Sequence, residues 1–187
     1  DGPFPSRIEI RGEVIMSKSG FAALQQREET SNEGTFRNAR NTVAGTLKLL
    51  DPRVVKRRPL DFLAFAVGFV EGITFATHEQ LRLQLSEWGF TVATPAQPAN
   101  DIEAILAFRD DLEQRRDDLP YEMDGVVAKV NDFEEQQLLG RTSRTPRWAL
   151  AYKFAPRLAR SNVEKIGAQV GRTGAVTPVA HLTPTEL

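Results

Sequence analysis

The sequence contains no cysteine and only two histidines, His78 and His181. Without cysteine, disulfide bonds and cysteine-ligated zinc sites are excluded. Two histidines are also too few for a histidine-rich metal site. A chain without cysteine fits the cytoplasm, where disulfide bonds are rare, and we expect a cytoplasmic protein.

Long apolar runs and a strong net charge are also absent. No run approaches the ~20 apolar residues that a membrane-spanning helix needs, so we expect no membrane partner. The net charge is −1, with 41% hydrophobic and 26% charged residues, which is typical of a soluble globular domain. Positive charge is nevertheless concentrated in residues 53–59 and 140–147, and such basic segments can contact phosphates.

Hydrophobic periodicity predicts a mixture of strands and helices. Alternation over residues 7–16 indicates a half-buried strand, with Gly12 at a bulge or a close backbone approach, and the apolar run 60–70 indicates a central strand. Helices are predicted over 37–50, after Thr77, after Asp101 and over 132–139. Because the order has no regular βαβ rhythm, we predict an α+β domain with antiparallel or mixed sheets. The strand-rich tail, 169–187, looks like the start of a second, β-rich domain.

Residues 147–154 alternate between bulky and small side chains. The bulky face suits a core and consists of Trp148, Leu150, Tyr152 and Phe154. The opposite face consists of Ala149, Ala151 and Lys153. Two alanines leave space above the strand and a lysine reaches into it, so this face could form the floor of an anion-binding pocket. The alternative is a strand covered by a helix that needs small residues beneath it.

Charged residues flank a second apolar strand, in the segment YEMDGVVAKVN. Asp124 precedes this strand and Lys129 ends it, while Glu13 lies on the charged face of the first strand. Two lysines and two acids near the ends of apolar strands suggest a nucleotide or polyphosphate site. Lysines would meet phosphate oxygens, and carboxylates would meet a ribose hydroxyl or Mg²⁺. The alternative is a set of solvated strand ends with ordinary ion pairs.

Two further features fit a nucleotide site. Phe65, within the central strand, could stack on a base, although a core phenylalanine is the more common interpretation. The basic segment GRTSRTPR is the best candidate for a phosphate-contacting loop, through Arg141, Arg144 and Arg147. A solvated basic loop is the alternative. The sequence contains no P-loop and no complete Rossmann fingerprint.

Five segments together resemble the adenylation domain of bacterial NAD-dependent DNA ligases, in which they occur in the same order. They are EIRGEVIM, FRNARNTVAGTLKLLDP, YEMDGVVAKVN, SRTPRWALAYKF and QVGRTGAVTPVAHL. The resemblance covers nearly the whole chain, and five motifs in register make it highly specific. It implies a nucleotidyltransferase domain of the DNA ligase and mRNA-capping type over residues 1–158, followed by the first strands of an OB-fold over 159–187.

The resemblance also implies a function. The family seals nicks in duplex DNA during replication and repair, through an enzyme–AMP and a DNA–adenylate intermediate. NAD supplies the AMP, Mg²⁺ assists, and zinc belongs only to a downstream domain that this sequence does not contain. The implied partners are NAD and nicked duplex DNA, and we expect a monomer.

The resemblance assigns roles to residues by motif. Asp124 matches the essential acid, in a Mg²⁺ or phosphate network, and Lys129 and Lys153 match lysines near the nucleotide and its α-phosphate. The implied cofactor-binding set is Glu13 at the ribose, Phe65 at the adenine, Lys129, Lys153, Arg40 and Arg116. The implied DNA-binding set is Lys48, Arg141, Arg144, Arg172 and Thr173.

The sequence departs from the family pattern at its nucleophile. The family uses the lysine of a Lys-x-Asp-Gly motif, and no such motif occurs in this sequence. We therefore expect a fragment that contributes the nucleotide pocket but is inactive alone. Ala39 replaces a frequent proline, and Lys48 replaces a frequent arginine and so loses bidentate geometry. The alternatives are a non-catalytic nucleic-acid-binding module on the same scaffold and an ATP-dependent or RNA-capping relative, which the bacterial-type motifs disfavour.

Overall fold

The computed structural model describes residues 4–31, 36, 38–156 and 158–185. The chain divides into two compact units, Asp1–Lys153 and Phe154–Leu187. The elements of the first unit are β1 (Arg7–Ile15), α1 (Lys18–Ser31), α2 (Ala39–Thr46), α3 (Pro52–Lys56), β2 (Asp61–Glu71), α4 (His78–Glu87), β3 (Thr91–Val92), α5 (Ile102–Gln114), β4 (Gly125–Lys129), α6 (Phe133–Leu139) and β5 (Ala149–Lys153). Helices and small sheets follow one another irregularly, which confirms the predicted α+β class.

The largest sheet of the first unit is mixed, as predicted. Its strand order is β1-β2-β3, with β1 antiparallel and β3 parallel to β2, so the apolar run 60–70 does form the central strand. The register of β1 shifts between Arg11 and Gly12. A Cβ atom at Gly12 would meet the Phe62 ring and the Leu63 carbonyl oxygen, which explains why glycine occupies this irregular position.

Two apolar clusters form the core of the first unit. One joins the sheet to α4 and consists of buried Ala64, Leu81, Leu85 and Val92. The other joins the end of β1 to α1 and α2 and consists of buried Met16, Leu24 and Val43. Burying each large aliphatic side chain contributes about 1.5–3 kcal/mol. These clusters hold β1, α2 and β2 in place, and three of the predicted site residues lie on those elements.

Side-chain caps begin the helices where the sequence predicts them. Thr77, Asp101 and Asp132 each accept a hydrogen bond from a backbone N–H in the first turn that follows. The predicted helix over 37–50 is too long, since α2 ends at Thr46. Asp51 instead caps α3, whose first residue is Pro52. Proline is tolerated at this position because the N–H that it lacks would have no partner within the helix.

The second unit contains an antiparallel pair, β6 (Val163–Val170) and β7 (Val176–Leu182). The turn between them holds Gly174 at a φ of 82°, a left-handed conformation that favours glycine. Two strands do not define an OB-fold, so the OB-fold and its predicted boundary between residues 158 and 159 stay predictions. Across the described residues of both units, no helix is long and apolar enough to cross a membrane.

Candidate functional site

The antiparallel pair β4–β5 presents the predicted lysines on one face. The register places Lys153 opposite Gly125, Ala151 opposite Val127 and Ala149 opposite Lys129. Directly opposite residues of an antiparallel pair project to the same side. The two alanines therefore share a face with both lysines, as the alternation predicts.

The other face of β5 is less buried than predicted. Leu150 is 68% exposed and Tyr152 is 42% exposed, so the prediction that both belong to a core is wrong for the described structure. On β4, Val126 is buried. The guanidinium of Arg109, from α5, lies over the Tyr152 ring at 4.9 Å and covers part of it. Alternation identifies the two sides of a strand but not what covers each of them.

An ion-pair network joins three elements at the Lys153 end of this face. Lys153 Nζ donates to Asp124 Oδ2 over 2.8 Å. Arg40 then bridges two carboxylates, with nitrogens 3.8 Å from Asp124 Oδ2 and 4.0 Å from Glu13 Oε1. All four side chains are more than half exposed, so each pair contributes only ~0–1 kcal/mol to stability. The network therefore stabilises the fold little and leaves its charges accessible to a ligand.

The hydrogen bond from Lys153 is the main cause of a lowered pKa at Asp124. The positive charges of Lys153 and Arg40 lower that pKa further, while partial burial opposes them. Asp124 is consequently a carboxylate at neutral pH. It lies between two cations that could also bind a phosphate.

Local structure explains how these residues meet. Asp124 directly precedes β4, and Gly125 allows the two strands to approach, since a Cβ atom there would collide with the Tyr152 carbonyl. Arg40 lies in the first turn of α2, which Asn38 caps by accepting from the Asn41 N–H over 3.0 Å. The β1–β2 pairing and the α2 core contact bring Glu13 and Arg40 to the same edge.

Lys129 lies in a more enclosed place than Lys153. Its ammonium is 5.5 Å from the centroid of the Phe65 ring, 3.4 Å from the Phe65 carbonyl oxygen and 2.9 Å from His78 Nε2. Burial lowers the pKa of Lys129. Phe65 itself is 42% exposed and not a core residue, which leaves its ring accessible for stacking. No sequence pattern indicated a role for His78, because 51 residues separate it from Lys129.

Comparison with known proteins agrees with the resemblance of the motifs. The sequence-family model of the NAD-dependent DNA ligase adenylation domain matches residues 2–157. The chain belongs to this family. Curated relatives named DNA ligase are 45% identical over 99% of the chain in Geotalea daltonii and 46% identical over 99% in Salinibacter ruber. A DNA ligase of Syntrophobacter fumaroxidans is 47% identical over 96% of the chain. The chain spans only 27–28% of the length of these relatives.

The remaining predicted site residues lie on other elements. Arg116 lies in the turn after α5, where its carbonyl oxygen accepts a hydrogen bond from Lys18 Nζ over 3.0 Å. Lys48 is exposed just after α2. Arg141, Arg144 and Arg147 are exposed in and beside a tight turn, which the side chain of Thr142 closes by accepting from the Thr145 N–H. Arg172 and Thr173 are exposed in the β6–β7 turn of the second unit.

The residues of the site fit a magnesium ion only if the ion is shared with phosphate. Within the described ranges, no group of three or more His, Cys, Asp or Glu side chains is arranged to hold a metal. Glu13 and Asp124 both contact Arg40 and thus lie near one another. Magnesium is commonly held by one or two protein carboxylates together with substrate phosphates and water. One carboxylate, that of Asp124, is enough for such a site when phosphate and water supply the other ligands.

Proposed function

We propose that this chain supplies the AMP- and phosphate-binding part of an NAD-dependent DNA ligase. The observation that carries the proposal is the network of Lys153, Asp124, Arg40 and Glu13, in which Lys153 shares a face of β4–β5 with Lys129. Membership in the adenylation family supports it independently. The predicted roles of the individual residues are part of this proposal.

Each group of the site matches one part of AMP. The exposed ring of Phe65 stacks on the adenine, and the carboxylate of Glu13 accepts a hydrogen bond from a ribose hydroxyl. Lys129 and Lys153 donate charge-assisted hydrogen bonds to the nucleotide and its α-phosphate, and Arg40 and Arg116 contact phosphate or the leaving nicotinamide mononucleotide. Phosphoryl transfer depends mainly on such positioning and charge stabilisation.

The reaction proceeds in three displacements at phosphorus. A lysine amine attacks the α-phosphate of NAD, loses a proton and expels nicotinamide mononucleotide, which leaves AMP on the enzyme. The 5′-phosphate of the nick then displaces the lysine and takes the AMP. Finally, the 3′-hydroxyl attacks that 5′-phosphate and expels AMP. In the family the nucleophile is the lysine of the Lys-x-Asp-Gly motif, and this motif does not occur in these 187 residues.

Magnesium, when bound by Asp124, would neutralise charge on the phosphate oxygens during these displacements. The protein groups have a complementary task. Lys153 and Arg40 are held by Asp124, so they lose little further freedom when a phosphate arrives.

Exposed side chains, most of them basic, contact the duplex. Arg141, Arg144 and Arg147 meet phosphates, and Lys48, Arg172 and Thr173 add further contacts. We further propose that the second unit begins an OB-fold, that the protein is monomeric, and that it acts in the cytoplasm.

Alanine substitution of Lys153, in the full-length ligase that carries this chain, tests the proposal. A charge-assisted hydrogen bond is worth about 1.5–3 kcal/mol, so nick sealing should fall about 10- to 100-fold or more. Lys165→Ala is the matched control, because Lys165 is exposed on β6 and lies outside both basic segments. Lys18 is a poor control, since its ammonium binds the carbonyl oxygens of Arg116 and Asp117. Near-normal sealing by Lys153→Ala would refute the assignment.

A second candidate is a non-catalytic nucleic-acid-binding module, which the missing Lys-x-Asp-Gly motif favours. Intact-mass spectrometry of the 187-residue chain after incubation with NAD and Mg²⁺ bears on both candidates. We expect no covalent AMP, because Lys129 and Lys153 are directed to phosphate oxygens and cannot attack in line. A stoichiometric mass gain of one AMP would show that another lysine is the nucleophile. AMP binding without an adduct favours the ligase fragment, whereas DNA binding without AMP binding favours the module.

A further inference from the structure

An imidazole lies directly against the ammonium of Lys129. The distance from Lys129 Nζ to His78 Nε2 is 2.9 Å, and both side chains are half-buried. The imidazole also stacks on Phe133, with the ring centroids 6.0 Å apart and the planes inclined by 27°. His78 is therefore held between an aromatic ring and an ammonium group.

Backbone hydrogen bonds fix the position of His78 relative to Lys129. His78 is the first residue of α4, and its N–H donates to the Asn131 carbonyl oxygen over 2.7 Å. The Phe133 N–H donates to the Ala76 carbonyl oxygen over 3.0 Å. Asn131 and Phe133 closely follow β4, so these two bonds tie the start of α4 to the strand that carries Lys129. The backbone arrangement therefore keeps His78 close to Lys129.

The chemistry of the pair defines the state of the histidine. An ammonium group donates hydrogen bonds and cannot accept them. His78 Nε2 must therefore be unprotonated, and the neutral ring carries its hydrogen on Nδ1. The Phe65 carbonyl oxygen, 3.4 Å from Nζ, is a second acceptor for the ammonium. An ammonium has three N–H groups, so one remains for a ligand.

We propose that His78 is a positioning residue for Lys129: it accepts one N–H of the ammonium and thereby holds the group beside the Phe65 ring, with another N–H left for the bound nucleotide. This inference rests on the proposed function of the site. Without the imidazole, the lysine would have to be ordered by the nucleotide itself, at a cost in side-chain entropy.

Charged groups on two elements surround the imidazole and decide its protonation. Burial is the largest cause of a lowered pKa at His78, and the positive charge of Lys129 on β4 lowers it further. From α4 itself, Glu79 raises that pKa and Arg82 lowers it. Asp132 follows β4 and uses its carboxylate to cap α6, by accepting from the Glu135 N–H. The histidine is accordingly neutral at physiological pH, as an acceptor must be.

The pair itself can be tested without any nucleotide. In the 187-residue chain with ¹⁵N-labelled histidine, NMR should show His78 as the Nδ1–H tautomer with a pKa below its ordinary value. Lys129→Met should raise that pKa, because it removes a positive charge 2.9 Å away. An Nε2–H tautomer, or a His78 pKa that does not change in Lys129→Met, would overturn the proposal.

The positioning role is tested by AMP affinity. His78→Gln keeps a hydrogen-bond acceptor that cannot be protonated, whereas His78→Leu removes the acceptor. We expect His78→Leu to weaken AMP binding about 10-fold and His78→Gln to stay within about threefold of wild type, corresponding to the loss or retention of one hydrogen bond. Melting temperatures close to wild type would show that both variants fold.

Equal weakening in the two variants, or none in His78→Leu, would overturn the positioning role alone. Failure of the wild-type chain to bind AMP would instead contradict the proposed function as well.

Discussion

Lys153 Nζ lies 2.8 Å from Asp124 Oδ2, although 29 residues separate the two in sequence. The contact follows from the register, because Gly125, the residue after Asp124, pairs with Lys153. Both side chains are mostly exposed, so the pair contributes little to the stability of the fold. The pair instead positions the ammonium of Lys153 at the edge of an accessible face, beside the guanidinium of Arg40.

Asp124→Asn separates the placement of the cations from the binding of AMP. The amide cannot hold Lys153 and Arg40 by charge, so we expect the full-length ligase to lose about 100-fold or more in kcat for enzyme adenylation. AMP affinity should stay within about threefold, because the phosphate-binding cations remain and the loss of a negative charge beside the phosphate offsets their greater freedom. A rapid-quench assay measures the first quantity and calorimetry the second. A loss confined to AMP affinity, with adenylation otherwise normal, would contradict the role given to Asp124.

Lys129→Met should abolish AMP binding without destabilising the fold. Burial lowers the pKa of Lys129, so at neutral pH the folded state keeps a charge in a place that disfavours it. We expect the melting temperature of Lys129→Met to equal or exceed that of wild type, while AMP binding is lost. Leu112→Ala is the reference for real destabilisation, since Leu112 is fully buried and such changes cost about 2–5 kcal/mol. A drop as large as that of Leu112→Ala would show that Lys129 is structural.

The stability of the chain should depend on pH through His78. The pKa of His78 is lowered in the folded state, and in the unfolded state it is about 6.5. Between the two values the unfolded chain binds more protons, so this contribution is fully present above about pH 6.5 and is lost as the pH falls through the folded pKa. Thermal unfolding from about pH 7.5 to 5 should therefore show a steeper loss of stability in wild type than in His78→Gln. Identical slopes would contradict the neutral, buried state of this histidine.

Duplex DNA binding should depend on salt through the basic turn. If Arg141, Arg144 and Arg147 each contact a phosphate, replacing all three by alanine should reduce the slope of log K against log salt by up to about three. Fluorescence anisotropy with a nicked duplex at several salt concentrations measures this slope, with Lys165→Ala, outside both basic segments, as the control. An unchanged slope in the triple variant would exclude these arginines from the interface.

Much of the fold could be predicted from the sequence, because it depends on local patterns of residues. Alternation placed β1 and the small-residue face of β5 correctly, and the predicted caps at Thr77 and Asp101 began their helices. The bulge at Gly12 was also confirmed. Each of these features depends on residues within a few positions of one another.

The rest depended on contacts that local patterns do not contain. The exposure of Leu150 and Tyr152 depends on what covers β5, which alternation does not specify. Asp124 contacts Lys153 and Arg40, and Lys129 contacts His78. Only the tertiary structure reveals these contacts. The motif resemblance predicts that these residues belong to one site, but it does not predict which of them pair with each other.

The central claim is that the lysine face of β4–β5 binds AMP. An NMR titration of the ¹⁵N-labelled 187-residue chain with AMP and Mg²⁺ tests it most directly. The account predicts saturable shifts of backbone amides at Val127, Ala151 and Lys153, with weaker binding in Lys153→Ala and unchanged binding in Lys165→Ala. The absence of saturable shifts, or shifts confined to the basic turn around Arg144, would contradict the claim.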